Sequence, residues 1–268
     1  MSYNITYFER GRTGNNLFQW ATCKVLGYIF GHTYVISMPH VRRVIVDDNL
    51  FKEISESEDP ATDIRFNHLR ENHIECNGFF QLSKLFVKYR ERLIQALYST
   101  TDIIPSIFWQ KVNIFTLMHT PSKYILSDRD VVVSLRLDDF YHPDGKQTDI
   151  PYPNFYLDII KTMNFDRLYI VCDKINKPWE QAYLNQFKEY NPILVSGTIE
   201  DDVAVLRDAK RIIHSNSTLC WFISFASEKM ERHIPLTGAN VNQYLDVVSS
   251  TDKLYKISTM KHNEINNL

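Results

Sequence analysis

The chain alternates short runs of contiguous apolar residues with longer stretches in which apolar residues recur every three or four positions. Residues 3–8 form the first run and read as a strand. Residues 15–30 follow with helical spacing, and Thr33-Tyr-Val-Ile-Ser37 reads as the next strand, which closes a β–α–β start. Residues 39–72 are polar and irregular, with short apolar pieces such as Val44-Ile-Val46, and the acidic run Glu53–Asp59 reads as a solvated loop or helix end. Ile74–Phe80 reads as a strand and Gln81–Tyr98 as a helix, with Leu82, Leu85, Phe86, Tyr89, Leu93 and Leu97 on one face.

Residues 100–130 contain Pro105 and Pro121 and show no strong period beyond a short helix near 107–118. The domain boundary is expected near residue 125, giving domains of 1–125 and 126–268. The second half alternates strictly. Strands are expected at Val131–Leu135, Leu168–Cys172, Ile193–Val195 and Arg211–Ile213, and helices at Phe155–Met163, Trp179–Tyr190, Asp201–Ala209 and Thr218–Ser227. Strands alternating with helices predict an α/β fold with a mostly parallel sheet covered on both faces. Ligands in such sheets bind beyond the carboxyl ends of the strands.

Composition narrows the function. The 268 residues are 44% hydrophobic, with 16 Phe and 15 Tyr, so a full core can be buried. The net charge of -2 advertises no basic surface and argues against a nucleic-acid partner. Cys23, Cys76, Cys172 and Cys220 are widely spaced, without metal-ligand spacing, and read as buried free thiols of a reducing compartment. The N-terminus is polar within four residues and no apolar run approaches the ~20 residues needed to span a bilayer, so the expectation is a cytoplasmic protein without signal peptide or transmembrane segment.

The candidate chemistry lies at predicted strand ends. Gly11-Arg-Thr-Gly-Asn-Asn-Leu-Phe-Gln19 joins the first strand to the first helix. Gly11 and Gly14 permit a sharp turn that brings N–H groups to an anion, and the helix start adds donors and partial positive charge. Arg12 and Asn15 belong to the same loop. The loop matches neither the dinucleotide nor the Walker pattern, and two glycines at a strand–helix turn also serve plain turn geometry. Arg136 directly follows a strand, where it either grips a diphosphate bidentately or pairs with Asp138 or Asp139. Asp173 ends another strand, where it accepts the N–H donors of a nucleobase, caps the helix beginning near Trp179 or stabilises the turn through Lys174–Lys177. Ser215, Asn216, Ser217 and Thr218 precede a helix and can both cap it and bind phosphate or ribose. Asp128-Arg-Asp130 has the spacing of a manganese motif but precedes a strand instead of ending one, and reads as a turn.

These segments together resemble the fucosyltransferases, especially the α1,2-fucosyltransferase-like family. Gly11–Gln19 resembles the family's Gly-Gly/Arg-x-Gly-Asn-Gln-x-Phe-Gln signature, and Asn77-Gly-Phe-Phe-Gln-Leu-Ser-Lys84 its Gly-Tyr-Phe/Trp-Gln segment. Ser134-Leu-Arg-Leu-Asp-Asp139 and Phe140 resemble His-x-Arg-Arg-x-Asp-Tyr/Phe. Glu200-Asp-Asp-Val resembles an acidic-apolar segment, and Ile213–Trp221 the Asn-Ser-Thr motif.

The resemblance spans residues 8 to about 225 and implies two Rossmann-like subdomains facing a cleft, the GT-B-type glycosyltransferase architecture. The N-terminal domain would face the acceptor and the C-terminal domain would bind the nucleotide-sugar. The reaction implied is inverting, metal-independent transfer of L-fucose from GDP-fucose, a co-substrate, to a glycan hydroxyl, with no other cofactor. Arg136 would neutralise the leaving diphosphate. Gly11, Arg12, Gly14, Asn15, Ser134, Asp173, Ser215, Asn216, Ser217 and Thr218 would bind the nucleotide-sugar. Residues 77–84 are expected to line the acceptor side or to pack at a strand–helix junction. Asp139 and Asp144 are the candidate bases, ahead of His142, whereas His214 reads as a strand-end histidine.

Two departures matter. Ser134 replaces the family His that helps hold guanine, and Leu137 replaces the second Arg. They leave open another donor, such as a rhamnosyl or xylosyl nucleotide, or a binding protein without turnover.

Overall fold

The structure, a computed structural model, describes residues 3–38, 41–105, 111–137, 141, 147–227, 230–237 and 251–265. The chain divides into two compact units, the first running to Thr116 and the second starting at Leu117. Asp139, Asp144 and His142 fall outside the described residues, as does Phe140.

In the first unit, β1 (Asn4–Tyr7) leads into α1 (Thr13–Phe30) and β2 (Thr33–Tyr34). Then come β3 (Arg43–Val46), α2 (Asp48–Glu56), a 3-10 turn (Ile64–Phe66), α3 (Asn67–Arg70) and β4 (His73–Cys76). The unit continues with α4 (Ser83–Lys88), α5 (Arg90–Ser99) and an antiparallel pair, β5 (Ile103–Pro105) and β6 (Lys111–Asn113). The main sheet is parallel throughout, in the order β2-β1-β4-β3. α1 ends where Gly31, at φ 75°, donates its N–H to Gly27 O, a left-handed stop that suits glycine.

Several expectations need correction here. The strand expected over 74–80 ends at Cys76, and residues 111–113, expected within a short helix near 107–118, form β6, with helix only from Ile114. Residues 39–72 are not simply irregular, because they hold β3 and α2. The Asp47 side chain accepts the Leu50 N–H to start α2, and Phe51 and Ile54 bury its inner face. The helix expected over 81–98 breaks at Tyr89 into α4 and α5.

In the second unit, α6 (Ile114–His119) crosses the sequence division. It is followed by β7 (Val131–Leu135), β8 (Gln147–Pro151), α7 (Pro153–Thr162), β9 (Leu168–Cys172) and α8 (Pro178–Asn185). β10 (Ile193–Val195), α9 (Ile199–Asp208), β11 (Arg211–Ile213), α10 (Thr218–Ala226), β12 (Glu231–Leu236), β13 (Lys253–Lys256), β14 (Thr259–Lys261) and α11 (His262–Ile265) complete it. The six-stranded sheet runs β10-β9-β7-β11-β12-β13, parallel at every pairing. All five residues of β7 and of β9 are buried, as expected of central parallel strands covered on both faces. The fold class is thus α/β with two Rossmann-like parallel-sheet units.

The strand orders carry the functional geometry. From β7 the chain builds outward through β9 to β10, then returns to place β11 on the other side of β7. The first unit does the same around β1, with β2 on one side and β4 on the other. Each sheet therefore has a topological switch point, between β7 and β11 and between β1 and β4, where open parallel sheets leave a crevice beyond the carboxyl ends.

Candidate functional site

At the switch point of the second unit, β7 delivers Ser134 and Arg136 and β11 delivers His214 to Ser217. The Ser134 and Ser215 hydroxyls lie 3.5 Å apart across the gap. A shallow, open pocket lies here, lined by Ser134, Arg136, Cys172, Asp173, Asp202 and Ser217 among others. Arg136 Nε stands 3.6 Å from Asp173 Oδ2, so the cation has a partner on the neighbouring strand end. Asp173 does not supply the cap of α8. That role falls to Glu180, whose Oε2 accepts the N–H groups of Asn176 (2.8 Å) and Lys177 (2.9 Å).

The run of four polar residues divides its labour. Ser217 is the cap of α10, its Oγ accepting the Cys220 N–H at 3.3 Å. This leaves the N–H groups of the first helical positions, Thr218 and Leu219, without intrahelical acceptors at the pocket. Asn216 donates through Nδ2 to Asp149 O at 2.8 Å and so ties the loop to β8. Ser215 faces Ser134. His214 is buried and its N–H donates to His233 O. Burial, then the Arg232 guanidinium and His233, push its imidazole well below the usual range, so it stays neutral at the strand end.

Asp202, in the first turn of α9, is the residue that sequence reasoning missed. It belongs to the acidic start of a helix, where Thr198 and Asp201 already form a reciprocal cap. Asp201 turns away to Lys123 at 2.8 Å, whereas Asp202 lines the pocket with Oδ1 buried and unpaired. Burial, then the adjacent Asp173, raise the Asp202 carboxyl to about 7. The signal available in sequence was the doubled acid at 201–202, since one carboxylate suffices for the cap.

The Gly11–Gln19 segment lies in the first unit. Gly11 takes φ 74°, but Gly14 is helical, because α1 starts at Thr13, ahead of the expected residue 15. Arg12 precedes the helix without a side-chain cap. The Asn16 amide donates to Gly11 O (3.2 Å) and Arg12 O (3.0 Å) and is spent closing the loop. Asn15 Oδ1 accepts from Gln81 Nε2 (2.9 Å), and Gln19 donates to Gly78 O (2.9 Å). The first two motifs of the sequence are therefore hydrogen-bonded partners. The structure brings Ser134, Arg136, Asp173 and Ser217 together in one pocket, with Ser215 beside Ser134. Gly11, Arg12, Gly14 and Asn15 belong to the other unit.

No family model and no curated protein sequence matches the chain. Among solved structures it is similar to a mutant of Arabidopsis thaliana FUT1 in complex with GDP, at 7% identity over 87% of this chain and 70% of that one, with a TM-score of 0.49. It is also similar to POFUT1 in complex with GDP (9%; 96% and 98% covered; TM-score 0.43) and to the E. coli ADP-heptose lps heptosyltransferase II (11%; 96% and 91% covered; TM-score 0.43). At these values no site residue carries across.

Asp128 and Asp130 lie at the amino end of β7, away from the pocket edge of the sheet. Arg167 donates to both Asp130 oxygens and the Ser127 N–H to one of them. Burial raises this carboxyl, but those hydrogen bonds outweigh it and hold it below its ordinary value. The segment is the turn expected of it. Among the described residues no three His, Cys, Asp or Glu side chains gather as metal ligands, and no helix is long and apolar enough to cross a membrane. All four cysteines are buried thiols, and burial pushes Cys172 and Cys220 up to about 12.

Proposed function

We propose that the chain is a glycosyltransferase that takes a sugar from a nucleoside diphosphate donor bound at the second unit's switch point. One observation carries this reading. A guanidinium, a helix N-terminus and two hydroxyl-bearing residues converge on one pocket beyond the carboxyl ends of β7 and β11. That set neutralises a diphosphate as it departs. Arg136 supplies the charge, the first turn of α10 the N–H donors, and Ser134 and Ser217 neutral hydrogen bonds. Asp173 holds Arg136 until the more highly charged diphosphate displaces it.

Asp202 and Asp173 then offer carboxyl oxygens to the N–H edge of a nucleobase, which suits guanine with its two adjacent donors. The donor we favour is GDP-fucose, by resemblance of the motifs. Transfer is inverting and metal-independent, with Asp139 or Asp144 as the base that takes the acceptor proton. Ser134, where the family has His, keeps another base and sugar as the second reading.

The test is calorimetric titration of GDP and UDP into wild type and Arg136→Ala. GDP should bind, and the variant should lose about 10- to 100-fold in affinity, the worth of a charged hydrogen-bonding group. UDP preferred, with the same loss, keeps the diphosphate site and discards fucose. Binding of neither nucleotide, or no effect of the variant, overturns the reading. Slow donor hydrolysis without acceptor separates a transferase from a binding protein.

A further inference from the structure

The pocket of the second unit is lined by two carboxyls and one guanidinium, those of Asp173, Asp202 and Arg136. Arg136 Nε stands 3.6 Å from Asp173 Oδ2 and compensates that carboxylate first. Asp202 is held differently. The Gly197 N–H donates to its carboxyl, while Oδ1 is buried and has no partner. An ionised carboxylate in this place keeps one oxygen dry and unbonded beside a second negative charge, and both effects favour the proton.

The groups around it come from three elements. Asp173, at the end of β9, raises the Asp202 carboxyl, and Arg136, at the end of β7, opposes that. Asp201, on the same turn of α9, raises it too, although its own charge is paired with Lys123. Cys172 stays a thiol, pushed up to about 12, and Ser217 and Leu219 add no charge from the α10 side. With burial the largest influence, Asp202 comes to about 7.

The pocket therefore changes its hydrogen-bonding face within the neutral range. Protonated, Asp202 offers an O–H beside the acceptor oxygens of Asp173; ionised, it offers acceptors alone. Nucleobases differ in what they present to such a wall. Guanine has two adjacent N–H donors next to a carbonyl oxygen. Uracil has one N–H between two carbonyl oxygens. The ionised pair satisfies both guanine donors but sets lone pairs against a uracil oxygen. The protonated Asp202 donates to that oxygen while Asp173 takes the uracil N–H.

We infer that Asp202 is a specificity-determining residue, whose protonation admits uracil nucleotides and whose ionisation rejects them in favour of guanine. The inference rests on the nucleoside diphosphate reading and adds which base the site takes at which pH. Rejection arises from buried acceptors left facing acceptors, where a polar site discriminates strongly. Guanine is held in both states, through one N–H and its carbonyl oxygen by the protonated pair and through both N–H groups by the ionised pair. The diphosphate is common to GDP and UDP, so its charge, its own titration and its pull on Arg136 cancel from the ratio of affinities.

The experiment is calorimetric titration of GDP and UDP into the full chain at pH 6, 7 and 8, for wild type and Asp202→Asn. The wild-type preference for GDP over UDP should widen about tenfold from pH 6 to pH 8, the effect of one proton lost near pH 7. Asp202→Asn keeps a donor and an acceptor at every pH, so its ratio should stay constant, near the wild-type value at pH 6. A wild-type ratio that does not change with pH, an equal change in Asp202→Asn, or UDP failing to bind at pH 6 where GDP binds, overturns the inference and leaves the nucleotide reading standing. Binding of neither nucleotide at any pH overturns both.

Discussion

At the scale of single residues, Asp202 sets a measurable pH dependence. Its carboxyl sits at about 7 in the folded chain, raised by burial and then by Asp173, with Asp201 raising it and Arg136 opposing the shift. An unfolded Asp has an ordinary value near 3.9. The folded state therefore binds the extra proton between those values, and stability is fully present below about pH 4 and lost as pH rises through 7. Asp202→Asn removes the titration. The variant should be more stable than wild type at pH 8, by on the order of 1–4 kcal/mol, with the gap closing toward pH 4. Urea denaturation of both proteins across that range reads it, and parallel curves would mean that Asp202 does not carry the buried charge. Above pH 7, where Asp202 is ionised, the same substitution should weaken GDP, since an amide offers one acceptor where a carboxylate offers two. Sequence could point to Arg136, because a strand end is visible as the end of an apolar run. It could not single out Asp202, since both acids of the pair look like first-turn residues until one is seen to bind Lys123.

At the scale of elements, what was legible followed burial. β7, β9, β10 and β11 were read at the residues where they occur, because parallel strands buried on both faces are continuous apolar runs. β12 escaped because its sequence opens Glu-Arg-His, and two of those polar side chains are buried in it. Arg232 is 2% exposed and grips Asp252, whose side chain is fully buried, through Nε at 2.7 Å and through Nη2. A buried pair of this kind adds little net stability over an apolar pair but is costly to break. Asp252→Ala should destabilise the protein by about 3–5 kcal/mol, and Arg232→Met with Asp252→Leu should recover most of the loss. Chemical denaturation of the single and double variants measures both; an additive double variant would mean that the two residues do not depend on each other. The Gly78–Gln81 segment was illegible for a related reason. Nothing in Phe79-Phe80 announces that Phe80 is left-handed, at φ 53°, and the Asp48 carboxylate that accepts its N–H lies 32 positions earlier in sequence. Motifs at 11–19 and 77–84 were recognised one by one, but that they hold each other was a fact of tertiary structure.

At the scale of the whole molecule, two parallel sheets of similar construction present opposite chemistry at their switch points. The first offers exposed rings and neutral amides, and the second a guanidinium, carboxyls and a helix start. The proposed transfer would suit that division, with an uncharged polyol as one substrate and a diphosphate as the other. Hydrogen exchange on the full chain, with GDP and a hexopyranoside added singly, can therefore assign substrates to units without any catalytic assay. A ligand that binds only the folded state adds about 2.7 kcal/mol of protection at one hundred times its dissociation constant. GDP should slow exchange in 131–137, 168–175, 199–206 and 214–222, and the sugar in 8–19 and 77–82. The Gly11–Asn15 loop is the informative segment. Protection of 11–16 by the sugar alone would give the loop to the acceptor, as the Asn15–Gln81 bond suggests. Protection of 11–16 by GDP would return it to the donor, as the resemblance of the motif implies. GDP protection confined to the first unit would place the diphosphate away from Arg136 and remove the basis of the proposed chemistry.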